Sequence, residues 1–213
     1  MNYLLKLKTY SLSFIIRNLN SVYMHNSAKF LQIYKIWFNI KLDDIEGDYI
    51  EFGIFKGKSL LHSIKVTKKL KIFQNKNYWG LDSFKGFPVE NHNFYQSKNF
   101  ISSKSSVDKL FKKYNNVKII EGYFEESIKS HELSNIKKIS FAFIDCDIYE
   151  SAQFAFGYLK EKISKGGFIM IDDFTSIDKN GNYIAKSFFE IFKNRKIVFF
   201  DSYSNGQTFR IMD

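Results

Sequence analysis

The stretch that most constrains the fold is Ile139–Phe174, with the sequence ISFAFIDCDIYESAQFAFGYLKEKISKGGFIMIDDF. Within it, Ile139–Ile144 is a short apolar run, which is typical of a strand buried on both faces of a sheet. Apolar residues recur at helical spacing over Ser151–Ile163, Gly166-Gly167 is expected to end that helix, and Phe168–Ile171 is a second apolar run. This order predicts two parallel strands joined by a right-handed helical crossover.

Four aspartates follow the two predicted strands. Asp145 and Asp147 come after the first strand, and Asp172 and Asp173 come after the second. Because the carboxyl ends of parallel strands meet at one edge of a sheet, the four carboxylates should converge, and their repulsion would raise their pKa values unless a cation lies between them. Hard divalent cations prefer such oxygen ligands. The pattern predicts a metal site, whereas capping of loops and helices would explain a single aspartate.

Length and composition indicate the class of protein. A chain of 213 residues predicts one domain with a modest extension, which we divide into a helical extension, residues 1–44, and a main domain, residues 45–213. The single cysteine, Cys146, excludes an internal disulfide bond and favours a reducing, cytoplasmic location. The net charge of +10 is spread along the chain without a recognisable nucleic-acid-binding motif, so no nucleic-acid partner is expected.

The N-terminal segment is amphipathic. Apolar residues recur at helical spacing within residues 1–24, and a second helix is predicted over Ser27–Ile40. No small-residue cleavage site follows, so a signal peptide is not expected, and no apolar run is long enough to span a bilayer. Three alternatives remain open for the first helix: packing on the domain, contact with a second subunit in a homo-oligomer, or binding to a membrane surface.

A strand, a tight turn and a helix are predicted where the sheet begins. The turn contains the pattern E-x-G-x-x-x-G, formed by Glu51, Gly53 and Gly57, and it departs from the G-x-G-x-x-G of dinucleotide binders. The glycines would let the backbone approach a ligand, and the following helix offers free N–H groups. Asp82 ends the next strand, roughly 30 residues after Glu51, where an acidic residue typically accepts hydrogen bonds from a ribose. An Asx-turn is the alternative role of Asp82.

The rest of the chain continues an α/β pattern. Helices are predicted over Val107–Tyr114, Glu125–Leu133 and Asn182–Lys193, and strands over Val117–Gly122, Lys196–Phe200 and Thr208–Met212. The turn between the last two strands contains Ser204, Asn205 and Gly206, which favours an antiparallel hairpin. The polar loop Asn91–Ser106 is expected to be a lid or a disordered segment.

Five parallel-type strands followed by a hairpin resemble the class I S-adenosylmethionine methyltransferase fold. Four blocks narrow the resemblance to the macrocin O-methyltransferase (TylF-like) family: GDYIEFGIFKGKS, YWGLDSFKGFP, IEGYFEESI, and FIDCDIYESA through GGFIMIDDF. The resemblance implies a Rossmann-like α/β domain with a mostly parallel seven-stranded sheet, a C-terminal antiparallel hairpin and the N-terminal helical extension. It also implies Mg²⁺-dependent O-methylation of a sugar hydroxyl in a glycoside, polysaccharide or natural product.

The resemblance implies roles for individual residues. Those that would bind S-adenosylmethionine are Glu51, Gly53, Ser59, Asp82, Ser83, Tyr123, Phe124 and Asp145. Those that would bind the magnesium ion are Asp145, Asp172 and Asp173, and Asp147 would be the general base. The acceptor would be a small molecule or glycan with vicinal hydroxyl groups, because a bound ion can hold adjacent hydroxyls and lower their pKa.

Three other functions are considered. Asp145-Cys146-Asp147 is a D-x-D sequence, which in a glycosyltransferase holds a metal ion bound to a nucleotide sugar. A haloacid-dehalogenase-like phosphatase also uses D-x-D, but its nucleophile normally ends the first core strand. A basic module that binds membranes or nucleic acids is the non-enzymatic alternative. The glycosyltransferase interpretation leaves the glycine-containing turn and the Asp172-Asp173 pair unexplained.

Overall fold

A computed structural model describes the backbone of residues 3–92 and 95–213 and the side chains of residues 10–92 and 95–213. Positions 1–2 of the predicted extension and positions 93–94 of the predicted lid lie outside the described residues. The helices are α1 (Tyr3–Asn18), α2 (Ser21–Leu42), α3 (Lys58–Lys69), α4 (Lys104–Phe111), α5 (Phe124–Ser127), α6 (His131–Ser134), α7 (Tyr149–Leu159) and α8 (Ile184–Ile191). The strands are β1 (Asp48–Phe52), β2 (Tyr78–Asp82), β3 (Val117–Glu121), β4 (Ile139–Ile144), β5 (Ile163–Ile171), β6 (Ile197–Tyr203) and β7 (Gly206–Ile211).

The strands form one seven-stranded sheet in the order β3-β2-β1-β4-β5-β7-β6. The first five strands of this order are parallel, and β7 runs antiparallel to both β5 and β6. The predicted Rossmann-like α/β fold with a C-terminal antiparallel hairpin is therefore confirmed. The order reverses direction between β1 and β4, and ligands of open α/β sheets bind at the carboxyl ends of strands around such a point.

Both faces of the sheet are covered by helices, so its central strands consist mainly of buried apolar residues. All six residues of β4 are buried. On one face α7 and α8 contribute Phe156 and Phe188 to the core. On the other face α2 and α3 contribute Trp37 and Ile64. This two-sided burial is the physical reason that β4 appears in the sequence as a continuous apolar run.

The boundaries of α7 and β5 differ from those predicted. The helix ends at Leu159, and Ile163 is the first residue of β5, so Gly166-Gly167 lies inside the strand and does not end the helix. The register between β4 and β5 shifts in this region, and Gly166 has a φ of +78°. The glycines therefore permit an irregularity in the strand. A glycine pair after a helical pattern indicates a break in regular structure but does not distinguish these two cases.

The second N-terminal helix is longer than predicted. It begins at Ser21, where the side chain of Asn20 accepts a hydrogen bond from the backbone N–H of Val22, and it ends at Leu42. The predicted helix Glu125–Leu133 is instead two short helices, the second of which is capped by Ser130. Every described side chain of α1 is exposed. None of the described helices is long and apolar enough to cross a membrane.

Candidate active site

A cavity of about 710 Å³ lies at the carboxyl ends of the parallel strands. Its wall includes most of the residues that the sequence analysis assigned to a site: Gly53, Asp82, Ser83, Tyr123, Phe124, Asp145, Asp147, Asp172 and Asp173. Helix α2 closes one side of the cavity with several residues, including His25 and Lys29. Segments far apart in the sequence thus meet in one concave surface whose volume is typical of small-molecule sites.

Glu51 and Ser59 are not among the described residues that line this cavity. Glu51 is fully buried, and its carboxylate accepts hydrogen bonds from the hydroxyl groups of Ser59 and, at 2.6 Å, Tyr49. Burial raises the pKa of Glu51 to about 7, although both hydrogen bonds act in the opposite direction. These contacts join β1 to α3 beneath the cavity, and direct contact of Glu51 or Ser59 with a cofactor stays a prediction.

The two glycines of the first turn are required by contacts within the chain. A Cβ atom on Gly53 would lie 1.9 Å from the carbonyl oxygen of Asp145, and one on Gly57 would lie 2.7 Å from the ring of Phe111. Both glycines have positive φ values, 92° and 72°. Gly53 lines the cavity and its missing side chain also leaves room for the residue that follows β4, whereas access of a ligand to the backbone at either glycine stays a prediction.

Asp82 forms the Asx-turn that its sequence position allowed, and its role in binding a ribose stays a prediction. Its Oδ1 accepts a hydrogen bond from the backbone N–H of Phe84 at 2.7 Å, which is an Asx-turn, and its Oδ2 accepts one from Phe55 at 2.7 Å. Burial raises the pKa of Asp82, and the backbone hydrogen bonds oppose that shift. Because each carboxylate oxygen has two lone pairs, Asp82 can still accept hydrogen bonds from a ligand in the cavity.

Three of the four aspartates form a compact group. Carboxylate oxygens of Asp145, Asp147 and Asp173 all lie within 4.8 Å of one another. Asp147 and Asp173 have positive φ values, 62° and 46°, so neither belongs to an extended strand. Asp147 therefore does not reach Asp145 and Asp173 through the side-chain alternation of an extended strand. A three-residue turn, closed by a hydrogen bond of 2.7 Å from the N–H of Ile148 to the carbonyl of Cys146, brings the Asp147 carboxylate close to that of Asp145.

Lys29 and His25 contact this acidic edge, and the sequence analysis did not find them. Lys29 Nζ lies 2.9 Å from Asp145 Oδ2 and 2.5 Å from Asp172 Oδ2, and His25 Nε2 lies 3.2 Å from that same oxygen of Asp172. No local motif connects residues more than a hundred positions apart. A signal was nevertheless present, because Lys29 occupies the same stripe of α2 as the buried residues Ile33 and Ile36.

The charges at this edge shift the pKa values of its residues in opposite directions. Burial would raise the pKa of Asp172, but the hydrogen bond from His25 and the charge of Lys29 outweigh burial and lower it. Burial, followed by repulsion from Asp145 and Asp173, raises the pKa of Asp147 well above its usual value. Lys29 and the hydrogen bond from His25 therefore stabilise the charge of Asp172, whereas the largest influences on Asp147 all raise its pKa.

The loop after β2 packs beside the cavity in its described part. Ser102 Oγ donates a hydrogen bond of 2.8 Å to the carbonyl of Phe55, and a β-bridge joins Lys85 to Ile101. The side chain of Asn91 donates a hydrogen bond to Glu150 at the start of α7. Burial and repulsion from Asp172 raise the pKa of Asp173, and a hydrogen bond from Tyr95 opposes that shift. These contacts place Tyr95 against the acidic edge.

The residues present fit a divalent cation and a nucleoside cofactor. A magnesium ion binds oxygens at about 2.0–2.1 Å, so ligand oxygens around it must lie within about 4.2 Å of one another, close to the separations found here. One buried oxygen of Asp172, Oδ1, has no hydrogen-bond partner among the described residues. Asp82 and the aromatic side chains of Tyr123 and Phe124 line another part of the same cavity, as a ribose and a flat base require.

A sheet of this order, with an antiparallel β7 inserted between β5 and β6 and the cavity at the carboxyl ends of the parallel strands, defines the Rossmann-like class I methyltransferase fold. The sequence model of the macrocin O-methyltransferase (TylF) family matches residues 20–198. Because this match covers most of the chain, the chain belongs to that family. The resemblance identified from the four sequence blocks is confirmed.

Individual relatives are distant. The chain is 22% identical over 148 residues to mycinamicin III 3''-O-methyltransferase of Micromonospora griseorubida, a match that covers 62% of this chain and 57% of that protein. Among solved structures, the O-methyltransferase NovP has a TM-score of 0.71 at 18% identity, covering 87% of this chain and 80% of that one. An O-methyltransferase from Bacillus cereus in complex with SAH has a TM-score of 0.59 at 15% identity, covering 86% and 81%. These structures share the fold.

Proposed function

We propose that this protein is an S-adenosylmethionine-dependent O-methyltransferase that acts on a sugar hydroxyl and requires Mg²⁺. The observation that carries the proposal is one cavity in which Asp82 lies beside Tyr123 and Phe124 at one part and Asp145, Asp147 and Asp173 meet at another. A cofactor and an acceptor can therefore bind side by side. Family membership supports the reaction class, and a relative that methylates a mycinamicin supports a sugar-bearing acceptor.

The residues divide the work of the proposed reaction. S-adenosylmethionine supplies an activated methyl group, so the protein needs to orient the acceptor and remove its hydroxyl proton. Asp82 accepts hydrogen bonds from the ribose, and Ser83, Tyr123 and Phe124 surround the nucleoside. Asp147, whose pKa is raised, accepts the proton of the acceptor hydroxyl. Asp145, Asp172 and Asp173 would hold a magnesium ion, which would supply the Lewis acidity that lowers the pKa of an acceptor hydroxyl.

The alternatives explain less of the cavity. A glycosyltransferase or a phosphatase would use the D-x-D sequence, but neither accounts for Asp172-Asp173 or for family membership. A basic binding module for membranes or nucleic acids does not require a cluster of half-buried aspartates. We also propose a cytoplasmic location, supported by the single, buried Cys146. The partner we propose is a small-molecule or glycan acceptor, and the alternative of a homo-oligomer stays open.

Binding of the cofactor product tests the proposal. The parent protein should bind S-adenosylhomocysteine in isothermal titration calorimetry, and Asp82→Asn should weaken binding because hydrogen bonds to a charged acceptor contribute about 1.5–3 kcal/mol each. Asp201→Asn is the matched control. Asp201 lies on β6, forms an ion pair with Lys35 of α2, and is not among the residues that line the cavity. A parent protein that binds a nucleotide sugar but neither S-adenosylmethionine nor its product would favour the glycosyltransferase instead.

A further inference from the structure

The first helix presents apolar side chains to solvent on most of its sides. Between Tyr10 and Met24 nearly every side chain is exposed, and within α1 every described side chain is. The large apolar residues of α1 with described side chains are between 42% and 74% exposed: Tyr10, Leu12, Phe14, Ile15 and Ile16. At about 3.6 residues per turn, they span about two-thirds of the helix circumference. A helix that is apolar on so many sides is normally covered by a partner or by a membrane.

The charge of this segment is entirely basic. Residues 1–42 contain no Asp or Glu, and α1 contains Lys6, Lys8 and Arg17. The guanidinium group of Arg17 lies 5.3 Å from the centre of the Phe14 ring. Apolar and aromatic residues combined with Lys and Arg, without acidic residues, are typical of helices that lie on anionic membranes. Such a surface offers an apolar interior and negative charge together.

A second copy of the chain offers poorer charge complementarity than a membrane does. Residues 45–213 contain 26 Lys and Arg against 20 Asp and Glu, so the rest of the chain is also basic on balance. Like net charges repel, whereas anionic lipids attract each basic residue near their surface. A nucleic acid would supply phosphate charge but would leave the apolar side chains of α1 uncovered. Charge and apolar exposure together therefore favour a membrane.

Helix α1 is joined to the chain at the cavity wall. Ser21 and Val22, the first two residues of α2, line the cavity, and Val22 is also exposed. We propose that α1 lies on the surface of an anionic membrane, with its apolar side chains at the boundary between head groups and acyl chains. This binding agrees with the proposed cytoplasmic location, because the cytoplasmic leaflet contains anionic lipids. It does not require the proposed methyl transfer.

Sedimentation with vesicles tests the apolar contact. The full-length protein should bind vesicles of equal parts phosphatidylglycerol and phosphatidylcholine at least about tenfold more tightly than vesicles of phosphatidylcholine alone, and salt should weaken the binding. Leu12→Gln/Ile16→Gln keeps every charge and the helix propensity, and it should weaken binding by at least about tenfold. Deletion of residues 1–19 should cause at least the same loss. Vesicle binding that survives both changes would overturn the proposal.

Two matched variants test the position of the charge. Lys6→Gln/Lys8→Gln should weaken binding by about tenfold, because each basic residue near an anionic surface adds to the attraction. Lys165→Gln/Lys186→Gln removes the same charge from exposed positions on β5 and α8, and it should change binding by less than about threefold. Equal losses from the two pairs would show that the vesicles respond to net charge and not to α1, which would also overturn the proposal.

Three further measurements separate the possible outcomes. Near-ultraviolet circular dichroism verifies that each variant is folded, and sedimentation velocity measures its oligomeric state. A parent dimer that dissociates in Leu12→Gln/Ile16→Gln, without any binding to anionic vesicles, would assign α1 to a second copy instead. Calorimetry separates this proposal from the proposed function. A parent that binds S-adenosylhomocysteine but not anionic vesicles contradicts membrane binding alone, whereas one that binds the vesicles but neither S-adenosylmethionine nor its product contradicts the methyltransferase alone.

Discussion

Asp147 adopts a positive φ of 62° in a three-residue turn, a conformation that costs about 1–3 kcal/mol in a residue other than glycine. Loss of solvent around this half-buried residue, followed by repulsion from Asp145 and Asp173, raises its pKa. Unfavourable backbone geometry and unfavourable electrostatics at one residue are typical of functional sites. A carboxylate with a raised pKa is also a better base toward an alcohol than an ordinary aspartate.

Asp147→Asn keeps the shape of the side chain and removes its basicity. We expect turnover to fall by about 10²–10⁴-fold at saturating magnesium, with the affinity for S-adenosylmethionine nearly unchanged. The measurement is methyl transfer to an acceptor found by screening glycosides and nucleotide sugars, with Asp201→Asn as the control. Recovery of the parent rate at high magnesium concentration would mean that Asp147 only binds the ion.

Glu51 predicts a dependence of stability on pH. Its pKa rises from 4.5 to about 7 on folding, so the native state binds more protons than the unfolded state between these values. Stability must therefore fall as pH rises through this window, by about 3 kcal/mol for a shift of this size. Glu51→Gln cannot ionise and should lack this fall.

Urea unfolding at pH 5 and pH 8 measures how the free energy of unfolding changes with pH in the parent and in Glu51→Gln. Glu46→Gln is the matched control, because Glu46 is exposed and its hydrogen bond with Lys138 lowers its pKa. A lowered pKa contributes stability that is lost as pH falls, so this control should not reproduce the effect. Parallel pH profiles for the parent and Glu51→Gln would show that Glu51 is ionised at pH 5 in the native state.

The first strand and its turn depend on Gly53 for packing between elements. A Cβ atom at position 53 would overlap the backbone carbonyl of Asp145, and the φ of +92° is unfavourable for alanine. We expect Gly53→Ala to destabilise the protein by at least about 2 kcal/mol and to weaken cofactor binding. Urea unfolding measures the first effect and calorimetry with S-adenosylhomocysteine measures the second.

Gly157 is the matched control for this substitution. It lies within α7, and a Cβ atom there would meet nothing within 4 Å. Because alanine has a higher helix propensity, Gly157→Ala should stabilise the protein by about 0.5–1 kcal/mol. If the two substitutions have the same effect, the close approach of β1 and β4 does not explain the requirement for Gly53.

The elements of the sheet were predictable because the central strands are buried on both faces and are therefore rich in apolar residues. β4 was predicted with its observed bounds, a strand was predicted before the glycine-containing turn where β1 lies, and β2 ends at Asp82 as predicted. The start of β5 was missed because its first part contains Gly166-Gly167, and glycine indicates both helix ends and strand irregularities. Local patterns cannot separate these cases without the register of the neighbouring strand.

The acidic edge was predictable once the two strands were predicted, because the carboxyl ends of adjacent parallel strands lie at the same edge of the sheet. The contact of Lys29 with Asp145 and Asp172 was not predictable in this way, because it depends on how α2 crosses the sheet. The sequence also could not show that Glu51 is fully buried and does not line the cavity. Burial of a charged side chain depends on its hydrogen-bond partners, which here are Tyr49 and Ser59. Motifs locate ends of strands, whereas contacts between distant elements require the fold.

At the scale of the whole molecule, α2 belongs to the core as much as to the cavity. Ile33, Ile36, Trp37 and Ile40 are at most 1% exposed. The ring of Trp37 packs against Phe141 of β4, with 5.4 Å between the ring centroids. By contrast, all described side chains of α1 are exposed. The predicted division at residues 44 and 45 therefore separates segments that share a hydrophobic core.

Two truncations test this division. Full burial of a large apolar side chain contributes about 1.5–3 kcal/mol, so the four core residues of α2 together contribute about 6–12 kcal/mol, as much as the whole stability of a typical domain. Deletion of residues 1–44 should therefore abolish cooperative thermal unfolding and the near-ultraviolet circular dichroism signal. Deletion of residues 1–19, which removes α1 and keeps α2, should leave both intact. Cooperative unfolding of the shorter protein near the parent transition temperature would instead establish a domain boundary at residue 44.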